Sequence, residues 1–183
     1  LTHLATLKGI TNPKERKITV DSLRRAIELV NRKRAAMHRL AGLRGARPSP
    51  ISGMDALLAN QVYFYDDPVR FTDTIERLCE ELEGRIARRE GVADEDAPRF
   101  VISGCPMAAP NWKLHSIIEG SGGVVVGEES CVGERGTQRL TDASASDVDS
   151  LLDAIVDRYL AIDCAIFTPN PTRVEHAESM ARQ

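Results

Sequence analysis

Three cysteines lie beside the strand patterns of this sequence, and thiols are the groups in it with the widest chemistry. Cys105 follows the apolar run 100–102, Cys131 follows the apolar run 124–126, and Cys164 precedes the run 165–170. In open α/β sheets, the loops beyond the carboxyl ends of the strands form the ligand crevice. Thiols gathered in such a crevice are candidates for a metal cluster or for a nucleophile, and the two interpretations imply different enzymes.

Cys131 stands in a polar stretch that does not suit a buried core position. The charged residues around it are Glu128, Glu129, Glu134 and Arg135, and Gly133 permits close backbone approach. A thiolate bound to iron needs hydrogen bonds from its surroundings, and a guanidinium can also bind a carboxylate or phosphate in two places. Glu129 and Arg135 are therefore candidate catalytic residues. The alternative for Arg135 is a solvated surface charge or a simple pair with Glu128 or Glu129.

The other thiols are more ambiguous. Cys105 comes between a strand and a helix, where the helix macrodipole would favour a thiolate, or it is a small apolar residue in a tight turn. His115, in the following helix, is too far along it to act as the base of Cys105. Cys164 on its own resembles a buried structural thiol, and Cys79 lies within an apolar helix stripe, which predicts a core residue.

The first half of the chain is predicted to be helical. Apolar spacing predicts a helix that starts at Asp21 or Ser22, a second that Ser52 caps, and a third that Asp67 and Pro68 begin. The basic run 32–34 on the first helix could attract a phosphorylated ligand, although a solvated helix face is favoured. The acidic stretch 90–98 marks a boundary between a helical lead-in, residues 1–90, and an α/β domain, residues 99–183.

The second half alternates between strand and helix patterns. Strands are predicted at 99–103 and 123–127, with helices at 111–119 and after Ser146. This order implies parallel strands with right-handed crossovers, so the fold class is α/β: a small parallel sheet with flanking helices, Rossmann- or flavodoxin-like. The segment at Cys164 is predicted to be a loop before a helix over 171–183. A third strand there would put Cys164 at the opposite edge from the other two thiols.

Composition excludes several classes of protein. The 183 residues are 42% hydrophobic and 28% charged, and the formal net charge is −3. These values fit an ordinary soluble globular protein and argue against a nucleic-acid-binding surface. No stretch reaches the ~20 apolar residues of a membrane span. Four cysteines without a secretory signal predict reduced thiols and a cytoplasmic location.

A series of motifs in fixed order resembles a known family. They are Gly104-Cys105-Pro106, Ile118-Glu119-Gly120, Val126-Gly-Glu-Glu-Ser-Cys-Val-Gly133, Arg158-Tyr-Leu-Ala-Ile-Asp-Cys164 and Pro169-Asn-Pro-Thr-Arg173. Together they resemble the 2-hydroxyacyl-CoA dehydratase / benzoyl-CoA reductase family. The Gly-Cys-Pro turn and the Thr-Pro-Asn run look closest to its double-cubane-cluster branch. The resemblance is strongest over residues 99–183.

The resemblance implies a cofactor and partners. Family subunits hold an iron–sulfur cluster, [4Fe–4S] or double-cubane, and pair with a second subunit in a homo- or heterodimer. They receive electrons from an ATP-hydrolysing iron–sulfur activator protein, and the dehydratases eliminate water from an (R)-2-hydroxyacyl-CoA by a radical route. By motif match, Cys131 and Cys164 correspond to metal ligands, with Cys105 a further cofactor-binding candidate.

Two departures from the family pattern qualify that expectation. The family draws another cysteine ligand from an upstream segment, yet no cysteine precedes Cys79. The family also continues beyond the last predicted helix into another strand and a further motif. The chain therefore looks like an internal fragment of a longer subunit, inactive alone. The alternatives are a double-cubane reductase of small molecules without a CoA substrate, a cluster-free scaffold or interaction subunit, and, least supported, a thiol enzyme that uses Cys105.

Overall fold

The computed structural model describes residues 18–108, 110–164 and 166–182. Six α-helices and two strands make up this part of the chain, so its class is α/β, as predicted. In chain order the elements are α1 (Val20–Leu43), α2 (Gly53–Val62), α3 (Pro68–Ala87), β1 (Arg99–Ser103), α4 (Lys113–Gly120), β2 (Val124–Glu129), a 3₁₀ turn (Glu134–Gly136), α5 (Val148–Leu160) and α6 (Pro171–Ala181).

The starts of the helices follow capping chemistry. Ser52 and Asp67 cap α2 and α3 as predicted, with Pro68 at the first helical position. The start of α1 was predicted at Asp21 or Ser22, and this is wrong. Thr19 is the cap, because its hydroxyl accepts the Ser22 N–H while the Ser22 hydroxyl accepts the Thr19 N–H. This reciprocal pair satisfies two backbone donors at once.

Helices α1, α2 and α3 enclose the main hydrophobic core. Its buried members are Ala36, Met37, Leu40, Ile51, Ala56, Phe71, Ile75, Cys79 and Leu82. Cys79 is fully buried there, as its position in the apolar stripe predicted. Burial raises the pKa of this thiol to about 11. Cys79 is therefore a packing residue.

The basic run on α1 is not a solvated face. Lys33 and Arg34 are both buried, whereas Arg32 remains exposed, so the prediction is wrong for two of the three. The Lys33 ammonium donates to the carbonyl of Tyr63 and lies 4.1 Å from the centroid of the Tyr63 ring. Burial lowers the pKa of Lys33. A long basic side chain on an amphipathic helix can bury its stem when its charged end finds such partners.

The two strands form a parallel pair with α4 as the crossover. Ser103 and Glu129, the last residues of β1 and β2, stand opposite each other, and the register shifts once, between Phe100 and Val101. All six residues of β2 are buried. Helices α2, α4 and α6 all pack against β2. The Glu119 carboxylate of α4 accepts the N–H of Gly53, at the start of α2, over 2.6 Å.

The segment around Cys164 is irregular, as predicted. Its described residues, 161–164 and 166–170, form turns and loop, and α6 begins at Pro171. The predicted last residue of that helix, 183, and residues 1–17 of the helical lead-in lie outside the described residues. No helix among the residues described is long and apolar enough to cross a bilayer.

Candidate functional site

Cys131 and Cys164 line one cavity of about 410 Å³. Cys131 is exposed and Cys164 is partly buried, so both sulfurs lie near the surface of the fold. Half of the lining residues are aromatic or aliphatic: Tyr63, Phe64, Tyr159, Ile162, Ile166 and Phe167. Three more are arginines, Arg34, Arg135 and Arg158. The two cysteines can share a cavity because the segment at Cys164 is a loop, as predicted. A strand there would have placed Cys164 at the opposite edge of the sheet.

Arg135 connects the Cys131 sulfur to a buried carboxylate. Its Nη1 donates to Cys131 Sγ over 3.4 Å, and its Nε lies 2.5 Å from Oε1 of Glu129. A third nitrogen, Nη2, donates to the Glu129 carbonyl. Arg135 is itself buried, which excludes the solvated surface charge, and its pair with Glu129 is the other alternative that the sequence offered. The chain before the 3₁₀ turn that carries Arg135 passes close to the end of β2. Gly133 permits this, because a Cβ there would overlap the Glu128 carbonyl.

Glu129 is the centre of this arrangement. It is fully buried, and its Oε2 accepts Ser103 Oγ at 2.7 Å and Arg173 Nη2 at 3.2 Å. Burial opposes the charge of this carboxylate, but the hydrogen bonds from Ser103, Arg173 and Arg135 outweigh it, and its pKa lies below the usual value. A low pKa and a full set of donors make Glu129 a weak general base and a firm anchor for Arg135.

Asn170 links the Cys164 loop to α6. Its amide Nδ2 donates to the Cys164 carbonyl over 2.7 Å, while its Oδ1 accepts the backbone N–H of Arg173 and so caps the helix. Thr172 adds a hydrogen bond to Asp163 over 2.6 Å. Since Arg173 binds Glu129, a continuous chain of contacts joins Cys164, through the first turn of α6, to Glu129, Arg135 and Cys131.

Cys105 differs from the other two thiols in its surroundings. It is exposed and does not line the cavity. Gly104 before it has a φ of +134°, in the region that favours glycine, and donates its N–H to the Glu129 carbonyl over 3.2 Å. Helix α4 begins only at Lys113, and a helix dipole acts mainly within its first turn. Cys105 is therefore a turn residue near the ends of the strands, outside the reach of that dipole.

His115 faces the interior instead of Cys105. It is fully buried, and its Nε2 lies 3.3 Å from Oε2 of Glu128, which is also buried. Glu128 Oε1 accepts the hydroxyl of Ser130 over 3.2 Å. Consecutive strand residues point to opposite sides, so Glu128 and Glu129 serve different environments. The imidazole is thus no base for a thiol nucleophile at Cys105, in agreement with the sequence analysis.

The sequence analysis did not predict several residues of the site. Ser103 and Arg173 bind Glu129, Asn170 holds the Cys164 loop, and Arg34 and Arg158 line the cavity. A signal existed for two of them, because Asn170 and Arg173 flank Pro171 at a helix start, where capping residues are expected. No spacing rule pointed to Arg34, which lies over a hundred residues from its hydrogen-bond partner Thr141.

The described residues hold no group of three or more His, Cys, Asp or Glu side chains arranged to bind a metal ion. The cavity provides two thiols, and neither Asp nor Glu lines it. A thiolate-ligated cluster needs four protein ligands or their substitutes. The structure therefore brings together two of the three candidate thiols, short of a complete ligand set within the described parts of the chain.

Comparison with known proteins identifies the family. The sequence model of the family described as 2-hydroxyglutaryl-CoA dehydratase, D-component, matches residues 6–183. The chain belongs to this family. It is also 36% identical over 171 residues to the protein of Escherichia coli (strain K12) named "Putative dehydratase subunit YjiM". That alignment covers 91% of the chain and 42% of the relative, so the chain spans about two fifths of the length of the curated relative it matches.

Family membership confirms the resemblance carried by the motifs. The family's description names a dehydratase component, and the relative is named as a putative dehydratase subunit. The motifs fall on the contacts of the site: the stretch that ends at Gly133 forms β2 and its turn, and the stretch that ends at Arg173 forms the Cys164 loop and the start of α6. The family pattern and the contact chain therefore coincide.

Proposed function

We propose that this chain contributes Cys131 and Cys164 as two thiolate ligands of an iron–sulfur cluster in a 2-hydroxyacyl-CoA dehydratase subunit. The observation that carries the proposal is that both cysteines line one cavity while Arg135 donates a hydrogen bond to the sulfur of Cys131. Sulfurs that bind iron accept N–H hydrogen bonds of this kind, and such bonds tune the cluster.

The residues of the cavity fit such a group. A cluster with thiolate ligands is anionic, and the lining has three arginines and no carboxylate. Arg34 Nε is buried without a hydrogen-bond partner among the described residues, so positive charge in this cavity lacks an anion. The remaining ligands, on this proposal, come from protein outside the described residues. Cys105, on its exposed loop, is left outside the ligand set.

The roles of the protein groups follow from their contacts. A cluster held by Cys131 and Cys164 would supply one-electron chemistry for the loss of water from a 2-hydroxyacyl-CoA. Aromatic and aliphatic side chains form the apolar part of the wall beside that chemistry. Glu129 stays ionised and fixes the direction of Arg135, which makes it a positioning residue, and Arg135 holds the Cys131 sulfur.

The rest of the enzyme belongs to the proposal too. The chain is part of a longer subunit that pairs with a second dehydratase-type subunit, accepts electrons from an ATP-hydrolysing activator protein, and works in the cytoplasm with its thiols reduced. The two parallel strands with the α4 crossover are the start of a flavodoxin-like sheet, with residues 1–90 as the helical lead-in and residues 99–183 as the cluster-binding domain.

Iron content tests the ligand assignment. The full subunit, with its partner subunit, is reconstituted anaerobically with iron and sulfide as wild type and as Cys131→Ala, Cys164→Ala and Cys105→Ala. We expect the first two variants to lose most of the cluster iron and its visible absorption, and Cys105→Ala to keep both. Wild-type iron in Cys131→Ala and Cys164→Ala would refute the assignment, and loss in Cys105→Ala would add that thiol to the ligands.

Activity separates the dehydratase from its rivals. The reconstituted enzyme is given the activator protein, ATP and an (R)-2-hydroxyacyl-CoA, and the enoyl-CoA product is measured. Formation of enoyl-CoA supports the proposal. A clustered protein that reduces small molecules but leaves 2-hydroxyacyl-CoA unchanged is a double-cubane reductase, and a wild type that takes up no iron is a scaffold subunit.

A further inference from the structure

Helix α4 buries a polar residue and exposes apolar ones. His115 is the one residue of this helix that is buried, with 0% of its surface exposed, although the helix packs against β2. Its neighbours Leu114 and Ile117 are 40% and 56% exposed. A helix that packs on a sheet normally turns its apolar side inward. The inverted arrangement is costly unless the buried imidazole finds a polar partner.

The partner of His115 is the carboxylate of Glu128. Nε2 of His115 lies 3.3 Å from Oε2 of Glu128, and Glu128 is only 1% exposed. The described residues offer neither of these two atoms a hydrogen bond to any other group, so what each gains in the interior is the contact with the other. A buried carboxylate is costly without such a companion. His115 therefore fixes where the Glu128 side chain lies.

Glu128 in turn contacts both ends of the segment that carries Cys131. Its Oε1 accepts the hydroxyl of Ser130 over 3.2 Å, and its carbonyl accepts the backbone N–H of Ser130 over 3.0 Å. Its own N–H donates to Oε1 of Glu134 over 3.4 Å. Ser130 is buried and directly precedes Cys131. One strand residue thus holds the segment 130–134 at its start and at its end.

We propose that His115 is a positioning residue for Cys131. It steadies Glu128, Glu128 holds Ser130, and Ser130 sets the direction in which the next side chain leaves the turn. The following carboxylate of β2 supports the same sulfur from the opposite face, through Arg135. The proposal rests on the proposed function only in making this thiol a cluster ligand, because the placement of the sulfur is a property of the protein without iron.

Alkylation of Cys131 in the iron-free subunit tests the position of its sulfur. The full subunit with its partner subunit is treated with iodoacetamide. Mass spectrometry then gives the rate constant for Cys131 relative to that for Cys105, an exposed thiol that serves as the internal reference. A guanidinium beside a sulfur favours the reactive thiolate, so a displaced Cys131 reacts more slowly. We expect this ratio to fall by about threefold or more in His115→Leu and in Ser130→Ala.

Two further variants distinguish positioning from a loss of stability. His115→Gln keeps an amide N–H that can reach Glu128, and it should keep most of the wild-type ratio. Thr72→Val removes a buried hydroxyl whose hydrogen bond lies within α3, so it should lower the stability and leave the ratio unchanged. An equal fall of the ratio in Thr72→Val would overturn the proposal.

Ser130→Ala keeps the proposal falsifiable if His115→Leu does not fold, because it removes a single hydroxyl. An unchanged ratio in Ser130→Ala would break the connection between His115 and Cys131 and overturn the proposal. An unchanged ratio in folded His115→Leu would overturn it as well.

Iron content separates this proposal from the proposed function. After anaerobic reconstitution with iron and sulfide, we expect His115→Leu to retain less iron than Thr72→Val. If wild type takes up no iron while the alkylation ratio still falls in His115→Leu, the cluster assignment fails and the positioning role of His115 stands. If wild type binds iron and the ratio does not change, the cluster assignment stands and the positioning role fails.

Discussion

The Nη1 nitrogen of Arg135 donates a hydrogen bond to the sulfur of Cys131 over 3.4 Å. The direction of this donor is fixed from behind, because Glu129 holds the Nε of the same guanidinium at 2.5 Å. Ser103 and Arg173 in turn hold Glu129. A residue exposed at the surface is thus oriented by a carboxylate in the interior, and the consequences of this coupling can be measured.

Replacement of Glu129 tests the coupling by stability. In Glu129→Gln, Arg135 and Arg173 lose their common counter-charge, and removal of one partner of a buried pair costs about 3–5 kcal/mol. We expect the free energy of unfolding, measured by urea denaturation, to fall by about that amount. The matched control is Glu83→Gln, which removes an exposed pair with Arg39 and should cost far less. Equal losses in the two variants would show that Glu129 has no special role.

The pH dependence of the same variant has a definite sign. The pKa of Glu129 in the folded protein lies below its usual value of 4.5, so its contribution to stability is complete above pH 4.5 and is lost as the pH falls through the folded value. The difference in unfolding free energy between wild type and Glu129→Gln should therefore be constant from pH 5 to 7 and shrink below about pH 4.5. A difference that grows on acidification contradicts this.

Replacement of Asn170 tests whether the cap of α6 also positions Cys164. Asn170→Ala removes the cap of α6 and the hydrogen bond to the Cys164 carbonyl, while Ser52→Ala removes the cap of α2 and a hydrogen bond to Asp55 but no bond to a cysteine. Each should lower the unfolding free energy by about 1 kcal/mol, the usual value of an N-cap. Only Asn170→Ala should also lower the iron retained after anaerobic reconstitution and gel filtration. Similar iron in both variants would mean that the cap does not position Cys164.

Gly133 tests how tightly the turn after Cys131 must close. A Cβ at this position would overlap the Glu128 carbonyl, whereas a Cβ at Gly136 meets its nearest atom, the Cys131 carbonyl oxygen, at 3.9 Å. Gly133→Ala should lower the unfolding free energy by about 1–3 kcal/mol, as overpacking does, and Gly136→Ala should change it far less. Thermal denaturation followed by circular dichroism gives the comparison. A larger loss in Gly136→Ala would contradict the geometry.

Thiol alkylation tests the assignment of Cys79 to the core. Cys79 is fully buried and its pKa is raised to about 11, whereas Cys105 and Cys131 are exposed. With iodoacetamide at pH 8, mass spectrometry of the native protein should find Cys105 and Cys131 modified first and Cys79 unmodified. In denaturant all of them should react. Early modification of Cys79 would place it outside the core.

The sequence predicted the elements well where local chemistry decides them. Ser52, Asp67 and Pro68 mark their helices, and the apolar runs before Cys105 and Cys131 became the two strands. The pairing of Arg135 with Glu129 was one of the alternatives, because the residues are near in sequence. The tertiary partners could not be predicted. Lys33 and Arg34 were predicted to be solvated because their partners are distant in sequence: Tyr63, just after α2, and Thr141, before α5.

The two carboxylates at the end of β2 make the site sensitive to a change of one residue. Glu128 faces His115 and the interior, and Glu129 faces Arg135 and Arg173. Because side chains alternate along a strand, the deletion or insertion of one residue in β2 would exchange these neighbours. Arg135 and Arg173 would then lose the carboxylate of Glu129, which would point toward the interior. Sequence drift can therefore lengthen the loops around this strand far more readily than the strand itself.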